Sequence, residues 1–237
     1  MTFLFRRRFV FAGLVLLCLS IAGCFDSEPA ERKAFMEFLQ VNVLDKPGVH
    51  VPKPTDVEIK SFGPYAKHYA VITDFAADPE MIGITKDMAE AIQIGAPRSI
   101  KELMERRQDV KTVRDVMTKL RAGMETKLAA TEAARATLQQ PADLKAVFSA
   151  VFDRNVGDPA RAFRNAFPVV EETFVTIQTL VDFIETHQSA VTFSGSSVQT
   201  SDPKVRAELA AILKAMNAKS QQLQDMQRRL RLVLTGS

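Results

Sequence analysis

The sequence predicts an all-α protein, an elongated helical bundle with long coiled-coil-like helices and one small β-hairpin. Three observations predict it. Apolar residues recur at steps of three and four along most of residues 28–233. Residues 99–139 contain no proline and one glycine, Gly123. The helical period breaks clearly at residues 191–200, where β-branched and aromatic residues flank Ser194-Gly195-Ser196-Ser197.

The chain opens on Arg6, Arg7 and Arg8, followed by an apolar stretch of 13 residues, 9–21. A positive start, a short greasy core and small residues at its end describe a secretory signal peptide. Thirteen residues fall short of the ~20 that a membrane-spanning helix needs. Ile21, Ala22, Gly23 and Cys24 resemble the bacterial lipobox. That resemblance implies diacylglycerol on the Cys24 thiol, cleavage just before it and an acyl group on the new amine, a covalent lipid and no other cofactor. A plain signal peptide that happens to contain Cys24 is the alternative. The predicted organisation is a lipoprotein signal peptide, 1–23, and a single periplasmic helical domain, 24–237, anchored at Cys24. Each buried methylene adds ~0.8 kcal/mol, so two or three chains hold such a protein on its membrane.

The formal net charge of +3 is an export feature. Without the three signal arginines, 28 basic residues balance 28 acidic ones, which argues against nucleic-acid binding. Cys18 leaves with the signal as well. With its sulfur lipidated, Cys24 gives neither a disulfide nor a free thiol, so stability rests on burial. Phe outnumbers Tyr by 16 to 2 and Trp is absent, so phenylalanine is the expected core aromatic.

Residues 28–44 predict an amphipathic helix with Phe35, Phe38, Leu39 and Val43 on one face, Ser27 as cap and Pro29 in its first turn. Pro47, Gly48, Pro52 and Pro54 make a loop. Thr55 with Glu58 reads as a capping box before a short helix that Gly63-Pro64 interrupts. A further helix carries Tyr65, Tyr69, Ile72 and Phe75. Asp78-Pro79 breaks it, and another helix runs to about Ile94. Ser99 with Glu102 reads as a second capping box, opening one long helix to about Gln139. Leu103, Val110, Met117 and Met124 recur there every seven residues. Arg106 and Lys127 interrupt that seam.

Pro141 starts a unit with Leu144, Val147, Phe148, Val151 and Phe152 on its apolar face. Gly157-Asp158-Pro159 reads as a turn, and Pro168 kinks or divides the helix that follows. The last element, from Asp202-Pro203, carries Val205, Leu209, Ile212, Met216, Leu223, Met226, Leu230 and Val233, broken by Lys219 alone. It is the cleanest heptad stripe, and its expected partner is the 100–139 helix.

"GCF" at 23–25, "RKAFMEFLQ" at 32–40, "FGPYAKHYA" at 62–70, "ADLKAVFSAVF" at 142–152 and "VTFSGSSVQ" at 191–199 resemble an uncharacterised family of bacterial lipoproteins, the YiaF-like proteins. The resemblance implies a helical periplasmic domain on a lipid anchor. The family's function is unknown, so no catalytic residue or ligand is implied.

Site chemistry is sparse. His50, His68 and His187 lack a second His or Cys at metal-ligand spacing, so no metal is expected. Asp74 with Asp78, the Glu171-Glu172 pair, and Asp182 with Glu185 read as solvated or capping rather than as acid–base pairs. "FSGSS" lacks the arrangement of a serine nucleophile, and no glycine loop cradles a phosphate, so neither a catalytic residue nor a cofactor is assigned. Arg98, Lys101, Arg106, Arg107, Lys111, Arg114, Lys119 and Arg121 would join Arg228, Arg229 and Arg231 in one basic surface if the two long helices pack antiparallel. Anionic lipid would then be a partner; a solvated face laced with ion pairs is the blander alternative. The expectation is a non-enzymatic envelope lipoprotein serving as a scaffold or binding module for a protein or envelope component. Its rivals are a binder of lipid or small hydrophobic ligands and, third, a cell-wall hydrolase. Phe25, rather than Asp, stands second in the mature chain, which favours the outer membrane over the inner.

Overall fold

A computed structural model describes residues 27–80, 82, 83, 86, 97–195 and 197–237. The lipobox and Cys24 lie outside the described residues, as does most of the helix expected to run to Ile94.

The described chain is helical with one two-stranded sheet. Helix α1 (Glu28–Leu39) continues through a π-helical turn, Gln40–Leu44. A proline-rich loop leads to α2 (Asp56–Ser61), a 3-10 turn (Gly63–Tyr65) and α3 (Ala66–Ala76). Then come α4 (Ile100–Glu105), α5 (Arg107–Ala136) and α6 (Ala142–Phe152). A second π-helical turn, Asp153–Gly157, joins α6 to α7 (Asp158–Thr186). Strands β1 (Val191–Ser194) and β2 (Ser197–Thr200) precede α8 (Pro203–Thr235).

The capping chemistry largely follows the residue types. Thr55 accepts the Glu58 amide while the Glu58 carboxylate accepts from Thr55, a full capping box. At α4 the Ser99 hydroxyl accepts the Glu102 amide, but the Glu102 carboxylate reaches the Arg98 amide instead of Ser99. Ser27 makes no side-chain cap; its carbonyl alone accepts from Glu31.

Two expectations are corrected and one, at Pro168, is narrowed from its two alternatives. The long helix breaks at Arg106, which leaves the helical region at φ −108° and ψ 22°. Arg106 falls where the seam calls for an apolar residue; its guanidinium instead bonds Glu102 and Asp109 on either side of the break. Pro168 does not divide α7, which stays continuous through it. And α8 packs mainly on α7, not on α5. The short link through the hairpin forces α7 and α8 to be antiparallel neighbours. Helix α5 also runs antiparallel to α7, tied by Arg114–Glu171 and Arg164–Glu125 pairs. Helices α5 and α8 are therefore parallel to each other, and the condition for one basic surface is not met.

Burial divides into two cores. The first gathers α1, α3, α6, both π-helical turns and the far end of α5, around Phe35, Phe62, Phe148 and Phe152. The second gathers α4, the end of α7, the hairpin and the start of α8, around Leu103, Leu180, Ile184 and Leu209. The hairpin pairs Val191 with Thr200 and Phe193 with Val198, and turns at Gly195 with φ +59°. Val191 and Val198 are buried in the second core, so the hairpin is held by packing on helices.

Candidate functional site

The predicted acid–base candidates are separated by the fold. Asp78 is taken by Lys127 at 2.8 Å, whereas Asp74 is exposed. That contact also accounts for Lys127 within the α5 seam. Glu171 pairs with Arg114 and Glu172 with Lys219 at 2.6 Å, so both brace neighbouring helices. Asp182 accepts from Gln178, and Glu185 lies 3.9 Å from Arg107. The three histidines are far apart in role. The His50 amide donates to Asn155, and His187 stacks on Phe183 with its Nδ1 3.0 Å from the Phe183 carbonyl. His68 lies among Tyr65, Phe148 and Gln140, and burial pushes its imidazole below the usual histidine range. Among the described residues no group of three or more His, Cys, Asp or Glu could hold a metal.

Among the described residues, five of the eleven expected cations have a carboxylate partner. Lys101 pairs with Glu105, Arg106 with Glu102 and Asp109, Arg107 with Glu185, Arg114 with Glu171 and Arg228 with Asp225. Backbone and guanidinium donors hold the Glu102 carboxyl below the usual range, and Arg164 does the same for Glu125. Much of each pair lies in solvent, where such contacts are worth ~0–1 kcal/mol.

A junction that the sequence did not announce lies at the second π-helical turn. Arg154 donates to the carbonyls of Leu44, Lys46 and Gly48, closing the end of the first helical unit. Buried Asn155 accepts the His50 amide at 2.7 Å and donates to the Val151 carbonyl at 2.9 Å. The end of α8 docks on the same loop, with the Val49 amide donating to the Leu234 carbonyl. The sequence reads Gly157-Asp158-Pro159 as a turn; instead the chain stays helical there, from the π-helical turn directly into α7.

From this junction an open groove of about 800 Å³ runs between α7 and α8. Its floor is apolar: Ala162, Ala166 and Val169 from α7, and Met226, Leu230 and Val233 from α8. These α8 residues continue the heptad stripe that is buried at Val205 and Leu209, yet here they stay half-buried. The rim is charged, with Arg154, Asp158, Arg161, Glu172, Asp225 and Arg229.

Fold and groove define a helical protein with two cores and a long furrow between two of its helices. The family model described as "Protein of unknown function (DUF3053)" matches residues 12–231, and the chain belongs to that family. It is similar to the "Uncharacterized protein YiaF" of Escherichia coli K12, with 24% identity over 215 residues covering 91% of each chain. The proteins of that description from Escherichia coli O157:H7 and Shigella flexneri match with the same identity and coverage. No solved structure matches the chain.

Proposed function

We propose that the chain is a lipid-anchored bacterial envelope protein whose helical body is a non-enzymatic binding module, working through the groove between α7 and α8. The groove carries the reading. It is an apolar trough within the ~300–1,000 Å³ range of ligand sites, between helices of a bundle where such sites are common. The lipobox-like residues 21–24 support the anchor, because α1 begins at Glu28, a few residues after Cys24. Such a short link holds the module close to its bilayer.

Two measurements test this. The Cys24→Ser protein is expected to lose metabolic palmitate label and its membrane-fraction recovery; a variant that stays membrane-bound refutes the anchor. A photocrosslinker at Met226 in intact cells is expected to give a reproducible adduct that one at exposed Glu132 does not give. Equal yields from both positions refute the groove. A second reading is a carrier of small hydrophobic ligands, favoured by the apolar floor and by a furrow open along its length.

A further inference from the structure

We infer that the groove takes a long-chain fatty acid, its carboxylate at Arg229 and its tail along the floor. The inference rests on the groove being a binding site and names the ligand class.

Shape gives the tail. Ala162 and Ala166 are small and four apart on α7, so they leave a trough opposite Met226 and Leu230. Between Gln222 and Gly236 the trough extends about 20 Å at ~1.5 Å per residue, room for one extended acyl chain.

Charge gives the head. Each carboxylate of the rim is already answered: Asp158 by Arg161, Glu172 by Lys219 and Asp225 by Arg228. Arg229 has no ion-pair partner among the described residues. Arg154 commits its Nε and both terminal nitrogens to three backbone carbonyls, so Arg229 is the guanidinium of the rim whose fork is left open. The furrow therefore offers unanswered positive charge beside apolar surface, the complement of an anionic amphiphile. A guanidinium fork fits a carboxylate with two parallel hydrogen bonds.

The test uses membranes carrying the full-length protein and a radiolabelled palmitic acid bearing a diazirine. After irradiation, label is expected in peptides covering 162–169 and 226–233, displaced by unlabelled palmitic acid. Loss of one charge-assisted contact is worth ~1.5–3 kcal/mol, so Arg229→Glu is expected to cut labelling about tenfold or more, with Arg229→Lys, which keeps the charge but not the fork, falling between it and the parent protein. Ala162→Phe, which fills the trough, is expected to abolish labelling at unchanged protease resistance. Should that variant lose resistance, the Arg229 pair decides. Equal labelling by the methyl ester of the probe overturns the carboxylate assignment, as does preferential labelling by a lysophospholipid probe. If no lipid probe labels the groove while Met226 traps a protein, the fatty acid falls and the groove stands. If both fail, both fall.

Discussion

Tyr65 and Tyr69 are the only tyrosines of the chain, and both are buried in the first core. The Tyr65 hydroxyl donates to the Glu28 carboxylate, and that of Tyr69 donates to the Pro52 carbonyl at 3.0 Å. Burial, followed by the hydrogen bond to Glu28 and its charge, pushes the Tyr65 phenol up to about 12; burial alone pushes Tyr69 up as well. The neutral phenol is thus favoured by the folded state. Above the ordinary value of 10.0 the folded chain holds protons that the unfolded chain has lost, so stability falls as pH rises. This contribution is fully present below pH 10 and is lost on the way to 12. Phenolate absorbance is expected to stay flat past pH 10 and to appear together with loss of helical circular dichroism. Normal titration of either phenol with helicity intact would contradict this. Their helical spacing with Ile72 and Phe75 was readable in the sequence. Their partners were not, because Glu28 and Pro52 come from other elements.

At the scale of elements, two glycines at distant positions make the end of α8 fit its loop. Gly236 ends the helix in the left-handed region at φ +75°, and Gly48 adopts φ +64°. A Cβ at Gly48 would lie 2.4 Å from the Leu234 carbonyl oxygen, against backbone that has little freedom to yield. Strain at such a position costs roughly 1–3 kcal/mol. Gly48→Ala is expected to lower thermal stability by about that amount, and to speed amide exchange at Val49 first. An unchanged melting temperature would mean that α8 does not dock there. The cluster of breakers at 47–54 identified this stretch as a loop. The demand on Gly48 arises from a residue far along the chain, which local pattern does not carry. Arg106 shows the converse: its misfit in the seam was visible, and the structure resolves it as a break in the helix.

Over the whole molecule, α7 and α8 extend about 43 and 50 Å at ~1.5 Å per residue; α7 contributes to both cores, and α8 runs from the second core to the loop at Val49. Their facing stripes were legible as periodicity, as was the hairpin between them. The pairing was not, since several amphipathic faces compete and the brevity of the connection decides. Along the groove much of the α7–α8 apolar floor is only half-buried, and the Lys219–Glu172 bridge adds little, although these two helices pack on each other more than on any other element. Continuity of the two helices, with the docking of α8 on Val49, must therefore transmit unfolding from one core to the other. Leu144 in the first core and Leu180 in the second are each fully buried, and either change to Ala costs roughly 2–5 kcal/mol. If the helices couple the cores, each variant shifts one common thermal transition, and hydrogen exchange rises in both cores for either substitution. Two separate transitions, or exchange that rises only around the altered leucine, would show that the half-filled groove uncouples the ends of the molecule.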